Sequence, residues 1–393
     1  MIIVRKEPAK ERNVELLTRE TIRTLIAPQE PPCVSIYQPT HRHHPDNVQD
    51  PIRFKNLLRQ VEESLGQKYR GREVRPILER LQQLADNSLF WNHTLDGLAV
   101  LATTQSFRVF QLQIPVPELA VVADSFHVKP LIRKLQTADR YQVLGLTRQT
   151  AKLYEGNRYA LDPLDVNADF PATLTDALGD QLTQPQVSVR TVGTATVQHG
   201  QGSRSDEIDK DTERYFRAVD RAVLERYSKP SGLPLILAAL PENQSAFRAL
   251  SQNHLLLPQG VTANPDSMTT DQLRDAVWAV VEPTYLERLA KLSEEFGASQ
   301  AHRAGTADLS DAARAAIAGR VAKLLVEADR VTPGKLDPDT GAITPGDLND
   351  PDTDDLIDDL AEVVLRNGGE VIVVPADKMP PTAKQGIAAF YRY

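Results

Sequence analysis

Short apolar runs alternate with helical patterns along this chain, and no other feature limits its fold as much. Residues 233–240 (LPLILAAL) have the length of a buried strand, and residues 243–251 (NQSAFRALS) continue with a helical pattern. The same order recurs near the end, where the helical pattern of residues 352–369 closes on two glycines before the apolar run of residues 370–377. Strands that alternate with helices are typical of α/β domains. The sequence therefore predicts an α/β fold that ends in a βαβ crossover.

The length of the chain predicts more than one domain. At 393 residues it exceeds the size at which a single hydrophobic core usually stops growing. Its 41% hydrophobic and 25% charged residues are ordinary for a folded globular protein. Changes in pattern predict three α/β-type domains in series, which cover residues 1–132, 133–268 and 269–393.

Two helices are predicted with particular clarity from their apolar stripes. The first begins with Asp50 as its N-cap and Pro51 in its first turn. Its apolar positions recur at helical spacing, at Phe54, Leu57, Leu58, Val61 and Leu65. The second lies in the middle domain, with a stripe at Tyr215, Phe216, Val219 and Val223. Each stripe lets one helix face be buried against a sheet.

The sequence has no feature of a membrane or disulfide-bonded protein. No run approaches the roughly 18 apolar residues that a membrane helix needs, and charges interrupt the first residues where a signal peptide has its apolar region. Cys33 is the only cysteine, so it cannot form an internal disulfide, and we interpret it as a small buried hydrophobe. We expect a cytoplasmic protein without a membrane partner, a metal or a cofactor.

Charge is distributed unevenly along the chain. Residues 1–80 contain 15 Lys and Arg against 11 Asp and Glu, whereas residues 271–393 contain 13 against 22. A basic beginning and an acidic end suit nucleic acid at one end and a protein partner at the other. Two solvated surfaces without a binding role explain the same counts, and both interpretations stay open.

The motifs of several enzyme classes are absent from the sequence. It contains no G-x-S-x-G nucleophile elbow, no phosphate-binding loop of the G-x-x-x-x-G-K-[ST] type and no H-E-x-x-H zinc motif. Gly200 and Gly202 precede a helix, as in dinucleotide-binding loops, but Ser205 stands where that fingerprint requires Gly or Ala. Acids from Asp206 onward would also repel a pyrophosphate. A nucleotide-binding function is therefore disfavoured.

A polar loop in the first domain carries a group of cationic side chains that could meet RNA. Four of its residues are consecutive, and three more follow on the next helix: His41, Arg42, His43, His44, Arg53, Lys55 and Arg59. Neighbouring cations add to one phosphate-binding surface. Three interpretations stay open, namely a solvated loop, an RNA contact and a metal site.

The order of these segments resembles one family. The segments HVKPLIRKL (127–135), RYQVLGLTRQTAKLYEG (140–156), PLILAALPENQSAFRALS (234–251) and the close GGEVIVVPADKMPPTAKQGIAAFYRY (368–393) are similar to the bacterial group related to archaeal and eukaryotic class I peptide-release factors and to Pelota. This resemblance covers nearly the whole chain and implies a tRNA-shaped, three-domain protein whose middle domain is RNase H-like. It further implies a partner in the ribosome and its rRNA.

The resemblance assigns a role to the loop that precedes the middle-domain helix. Archaeal and eukaryotic release factors carry His-Gly-x-Gly-Gly-Gln-Ser there, and the Gly-Gly-Gln promotes attack of water on peptidyl-tRNA. This chain has the segment His199, Gly200, Gln201, Gly202, Ser203, Arg204 and Ser205. Ser203 restricts a backbone that glycine leaves free, and Arg204 is long, charged and suited to phosphate or a base. We therefore predict a factor that binds rRNA through residues 199–204 and does not hydrolyse peptidyl-tRNA, with no catalytic residues.

The remaining domains carry further implications of the resemblance. The Asn-Ile-Lys-Ser motif that reads stop codons in the eukaryotic factors is absent, so the cationic loop at residues 41–44 is the candidate contact to the small subunit. The third domain is expected to offer a surface to a partner such as a translational GTPase. We expect occupation of the ribosomal A site, in rescue of stalled ribosomes or hibernation of idle ones.

Two other functions stay open at this point. One is a hydrolase, either a nuclease or a peptidyl-tRNA hydrolase, that uses His199 with acids between Asp206 and Asp211. The other is an adaptor that binds a protein through its acidic domain and never meets the ribosome.

Overall fold

The computed structural model describes residues 14–15, 17–136, 139–179, 201–348, 350 and 353–392. Two compact units are present in it. The first unit joins the chain up to Gln136 with the chain from Leu286 onward, and the second unit runs from residue 137 to Tyr285. Each unit is described by itself, and the division into three domains stays a prediction.

The N-terminal part of the first unit is an antiparallel sheet covered by helices. Its elements are α1 (Arg19–Leu25), β1 (Cys33–Pro39), α2 (Asp50–Lys68), α3 (Gly71–Ala85), α4 (Ser88–Trp91), β2 (Gly97–Ala102), β3 (Phe107–Leu112), β4 (Leu119–Ala123) and α5 (Lys129–Leu135). The strand order is β3-β2-β1-β4. The predicted apolar stripe of α2 is buried in the core that this sheet forms, as are Ile36 of β1 and Trp91 of α4.

The start of α2 differs from the prediction in one respect. The helix begins at Asp50 itself, after Gln49, so Asp50 is not the N-cap. Its side chain is fully buried and accepts a hydrogen bond from the backbone N–H of His41 at 2.7 Å. A buried carboxylate is costly without donors, and the loop at residue 41 supplies them. Cys33 is buried as expected, and burial raises the pKa of its thiol to about 12.

The C-terminal part of the first unit follows α10 (Thr270–Ala301), a helix that begins in the second unit. Its elements are β10 (Gly305–Thr306), α11 (Leu309–Ile317), β11 (Val321–Glu327), β12 (Pro333–Leu336), β13 (Ile343–Pro345), β14 (Asp354–Asp355), α12 (Leu356–Arg366), β15 (Glu370–Val374) and β16 (Ile387–Tyr391). One sheet has the order β10-β16-β11-β15, with β11 and β15 parallel. The predicted βαβ crossover is thereby confirmed. The second sheet has the order β13-β12-β14.

The second unit is a five-stranded sheet with helices on both faces. Its elements are β5 (Tyr141–Leu146), β6 (Ala151–Gly156), β7 (Leu161–Pro163), α6 (Leu174–Leu178), α7 (Gln201–Val223), α8 (Lys229–Ser231), β8 (Leu235–Ala239), α9 (Pro241–Leu250), β9 (Val261–Thr262) and the first part of α10. The strand order is β7-β6-β5-β8-β9, in which β5, β8 and β9 are parallel.

Alternate residues of β8 explain why this sheet is covered on both sides. Leu235 and Leu237 pack with the predicted stripe of α7 and with Phe247 of α9. Ile236 and Ala238 pack on the other side with apolar residues of α10. Because side chains alternate along a strand, an uninterrupted apolar run requires burial on both faces. The α/β fold class is therefore confirmed.

One expected interruption is missing. A proline inside a helix is expected to bend or break it, but α10 continues through Pro283 from Thr270 to Ala301. Proline removes one backbone hydrogen bond from a helix. The neighbouring side chains of Val281 and Tyr285 are buried, and this packing offsets that loss.

Candidate functional site

The predicted rRNA-binding segment of the middle domain falls partly outside the described residues. His199 and Gly200 lie outside them. Gln201, Gly202, Ser203 and Arg204 lie at the start of α7, where the backbone is described and their side chains are not. The helix thus begins earlier than expected, and the acids from Asp206 onward are not in its first turn. The predicted role of these residues stays a prediction.

The body of α7 is firmly held in the second unit. Tyr215, Phe216, Val219 and Val223 have no exposed surface, and the Phe216 ring meets the Phe247 ring edge to face, with centroids 5.9 Å apart. Burial of large aromatic and branched side chains contributes about 1.5–3 kcal/mol each. The start of α7 is therefore connected to a fixed core.

Two acids of α7, Asp209 and Asp211, are engaged in ion pairs. Asp209 lies 3.6 Å from Arg148, and Asp211 lies 3.7 Å from Arg214 on the next turn. Asp209 is mostly exposed, whereas only 7% of Asp211 is exposed. Carboxylates paired in this way have structural partners, so their presence near His199 in the sequence needs no catalytic explanation.

The cationic loop of the first unit is largely neutralised by its own neighbours. The Nδ1 atom of His41 lies 2.8 Å from Oδ1 of the buried Asp50. Arg42 donates two hydrogen bonds to Asp96, from Nε at 2.9 Å and from a terminal nitrogen at 2.6 Å. Such a bidentate pair uses the planar fork of the guanidinium that a phosphate would need.

The cations on α2 divide into paired and unpaired side chains. Arg53 pairs with Glu118 at 2.7 Å, and Lys55 pairs with Asp86 at 2.8 Å. Arg59 is exposed and makes no ion pair with a described residue. His43 and His44 are exposed as well. Of the seven predicted residues, His43, His44 and Arg59 are thus the ones most accessible to an external anion.

A buried ionic network in the first unit was missed by the sequence analysis. Lys129, at the start of α5, is 1% exposed, and its Nζ lies 2.6 Å from Oδ2 of the fully buried Asp355. The same ammonium donates to the backbone carbonyl of Arg330. Asp358 accepts from the backbone N–H groups of Val128 at 3.0 Å and of Lys129 at 2.5 Å. The network joins residues more than 200 positions apart in the chain.

More carboxyl groups lie beside this network. Ser125 Oγ donates to Asp354 at 3.2 Å and lies 3.5 Å from Asp359. One turn further along α12, Glu362 is 1% exposed and accepts from Arg366 at 2.9 Å. Several acids that contribute to the negative charge of residues 271–393 therefore lie in the interior and not on a surface. The sequence did carry a signal, because acids at helical spacing are embedded in an otherwise apolar helix (LIDDLAEVV, residues 356–364).

Burial and mutual repulsion shift the pKa values of these groups. Burial raises the pKa of Asp354 to about 7. The pKa values of Asp358, Asp359 and Glu362 are also well above their usual range, first because of burial and then because of neighbouring carboxylates. Burial lowers the pKa of His127 to about 3, with the Lys129 charge as a second cause. His127 is therefore neutral at neutral pH.

Neither a membrane-spanning helix nor a metal-binding group was found within the described ranges. No helix there is long and apolar enough to cross a bilayer. The described His, Cys, Asp and Glu side chains form no group of three or more that could hold a metal ion.

The described elements form a multidomain α/β protein. Residues 140–320 match the model of the Bacterial archaeo-eukaryotic release factor family 3. The resemblance inferred from the sequence, to release-factor-like and Pelota-like proteins, is thereby confirmed. No curated protein matches the chain significantly.

Solved structures of such proteins are similar to this chain at low identity. An archaeal translation termination factor, aRF1, is 18% identical over 95% of this chain and 96% of its own, with a TM-score of 0.26. Dom34 of S. cerevisiae is 12% identical over 76% and 79%, with a TM-score of 0.39. An archaeal Pelota, in a model of ribosome-bound Pelota and ABCE1, is 12% identical over 97% and 95%, with a TM-score of 0.39. These values are too low to support an inference about individual residues.

Replacement of Lys129 by Met should destabilise the first unit by about 3–5 kcal/mol, because Asp355 is left as an uncompensated buried charge. The measurement is denaturant unfolding in a Trp278→Phe background, in which Trp91 is the remaining tryptophan and reports on the first unit. The exposed Lys384→Met serves as the control and should change the free energy of unfolding by less than about 0.5 kcal/mol. An equally small change for Lys129→Met would contradict a structural role of the pair.

The first unit should lose stability as the pH rises from about 6.5 to about 8. Asp354 keeps its proton up to about pH 7 when folded, whereas an unfolded aspartate loses it near pH 3.9, roughly. Its stabilising contribution is therefore complete at low pH and lost through about pH 7. His127 acts in the opposite direction only below about pH 6.5, because its unfolded pKa lies there.

The test compares wild type with Asp354→Asn by denaturant unfolding at several pH values in the same tryptophan background. The variant should show a shallower decrease, because asparagine does not titrate. Asp377→Asn, an exposed control, should keep the wild-type slope. Equal slopes for all three proteins would exclude Asp354 as the source.

Proposed function

We propose that this protein is a non-catalytic, release-factor-like factor that binds the ribosomal A site in rescue or hibernation of ribosomes. The observation that carries the proposal is the position of Gly202, Ser203 and Arg204. By the resemblance drawn from the sequence, they correspond to the Gly-Gly-Gln of archaeal and eukaryotic release factors. They also lie inside residues 140–320, which match the model of the bacterial family.

The chemistry of this segment supports binding without hydrolysis. Ser203 has a Cβ that restricts the backbone where the family has glycine. Arg204 replaces a neutral glutamine with a permanent charge that pairs with phosphate or stacks on a base. The backbone of the segment is part of α7, whose apolar stripe is buried, and this supports the presentation of a single arginine from a helix with a fixed core.

The N-terminal surface has a smaller part in the proposal. Arg42, Arg53 and Lys55 are paired with Asp96, Glu118 and Asp86, so contact with phosphate would require each to leave its partner. His43, His44 and Arg59 can contact the small subunit without first leaving an ion pair with a described residue. A few phosphate contacts give a shallow dependence of affinity on salt.

The proposed partner of the C-terminal region is a protein, such as a translational GTPase. Asp355, Asp358 and Glu362 are buried and cannot contribute to its binding surface. A basic partner could instead meet the exposed acids of this region, among them Asp311 and Asp377, by replacing Arg314 and Lys378, with which they pair.

Arg204→Ala should weaken binding to intact ribosomes. It should also reduce the slope of log affinity against log salt concentration by about one, as expected for the loss of one phosphate contact. Co-sedimentation across a salt series gives the dissociation constant at each concentration. With about three contacts, the wild-type constant should rise with roughly the second to third power of the salt concentration. Arg288→Ala, an exposed arginine on α10, is the matched control and should behave like wild type.

The same assay separates the two proposed roles and the adaptor alternative. Preference for ribosomes that hold a peptidyl-tRNA and an empty A site supports rescue, and preference for vacant ribosomes supports hibernation. Absence of binding to either would overturn the proposal and favour a protein adaptor.

Wild-type protein should release no peptide from ribosomal peptidyl-tRNA above the rate in buffer, because Arg204 occupies the position of the water-orienting glutamine. The double change Ser203→Gly and Arg204→Gln restores the complete family motif from His199 to Ser205. It should raise the release rate by at least about tenfold, an acceleration expected when a positioned polar group is supplied.

Release by the wild type that is lost on His199→Ala would instead support the hydrolase alternative. Failure of the double variant to release peptide, while it still binds ribosomes, would show that the segment is not aligned with Gly-Gly-Gln.

A further inference from the structure

A pocket of about 480 Å³ in the first unit shares no lining residue with either proposed RNA contact. It lies beside α12, and its apolar wall comes from three separate segments: Ile26, Pro28, Pro31, Leu336, Pro338 and Val363. Pockets that hold small molecules have this size, with an apolar lining and a few placed polar groups.

The polar side of the pocket consists of carboxyl groups. Asp354, Asp359 and Glu362 line it together with Ser125, whose hydroxyl lies between Asp354 and Asp359. Glu362 is 1% exposed, and its Oε1 atom has no hydrogen-bond partner among the described residues. A buried carboxylate oxygen without a donor is destabilising, so this atom offers a favourable position to a hydrogen-bond donor from outside.

The charges around the pocket favour a cationic ligand. Asp124 adds a fourth carboxyl group to the lining, whereas Lys335 and Arg366 are the basic residues of that lining. Arg366 is already bound to Glu362 Oε2, and Lys129 nearby is bound to Asp355. Because the described carboxylates do not form a group that could hold a metal ion, an organic cation fits better.

We propose that this pocket binds a primary ammonium group on a short aliphatic chain. The ammonium has three donors, which can meet Glu362 Oε1, Asp359 and Asp354. The aliphatic chain packs on the proline and leucine wall. Two sources share this chemistry, namely a free aliphatic amine and a lysine side chain of a peptide.

Binding of an ammonium group should release protons from the pocket. Asp354 has a pKa of about 7, and burial raises the pKa values of Asp359 and Glu362. A bound ammonium favours the ionised carboxylates, so these groups lose protons on binding. Other charged groups face them from β12, β14 and α12: Lys335, Asp355, Asp358 and Arg366. Affinity should therefore increase as the pH rises from about 5.5 to about 8.

The test is isothermal titration calorimetry on the full chain with putrescine and, separately, with lysine amide acetylated on its α-amine. We expect saturable binding of at least one amine, with no binding of butanediol, which keeps the aliphatic chain without the charge. Glu362→Gln should weaken binding by about tenfold or more, as expected for loss of a charge-assisted hydrogen bond. The exposed Glu370→Gln should leave the affinity unchanged.

A second variant tests the pocket without removing a buried charge, so the proposal can still be tested if Glu362→Gln does not fold. Ala27 is exposed at the pocket, so Ala27→Phe should narrow it without disturbing the core, and binding should again weaken. Tighter binding of putrescine identifies a free amine as the ligand type, and tighter binding of the lysine derivative identifies a peptide. No saturable binding of either probe by wild type, or equal affinity in Glu362→Gln, would overturn the proposal. Ribosome binding is measured independently, so the two proposals can fail separately.

Discussion

The first unit depends on the contact between Lys129 and the acids of residues 354–362. The ammonium of Lys129 is shared by Asp355 and a backbone carbonyl, and Asp358 holds the backbone at the start of α5. Each charge is buried, so each requires its partner, and the removal of one leaves the other without compensation. The N-terminal and C-terminal parts of the first unit are thus joined by an interaction that is costly to break and specific in its geometry.

This network also changes how the charge of the molecule is interpreted. Part of the negative formal charge counted for the C-terminal region belongs to buried carboxyl groups. Burial lets these groups keep protons that they would lose in water. The basic N-terminal loop is partly neutralised by Asp50 and Asp96, and Arg53 on α2 is paired with Glu118. The proposed recognition of RNA or protein therefore depends on a small number of exposed side chains and not on the net charge of a segment.

The second unit contains a sheet buried on both faces and the start of α7, where the proposed rRNA-binding residues lie. Its sheet is buried on both faces, and α7 is attached to it by large apolar side chains. Residues 140–320, which match the family model, include this sheet and the start of α7, where Ser203 and Arg204 lie. Because one fold can carry different chemistries, the proposed absence of hydrolysis rests on Ser203 and Arg204 and not on the fold.

The sequence by itself determined the α/β class, the stripes of α2 and α7, the two-sided burial of β8 and the final βαβ crossover. These features follow from hydrophobic periodicity, which acts between near neighbours in the chain and is visible without coordinates. The tertiary structure alone decided which charges are paired. Arg42 meets Asp96 and Lys129 meets Asp355 across long stretches of chain, and no local pattern specifies such partners. The carboxyl-lined pocket has the same origin, because its walls come from segments that only folding brings together.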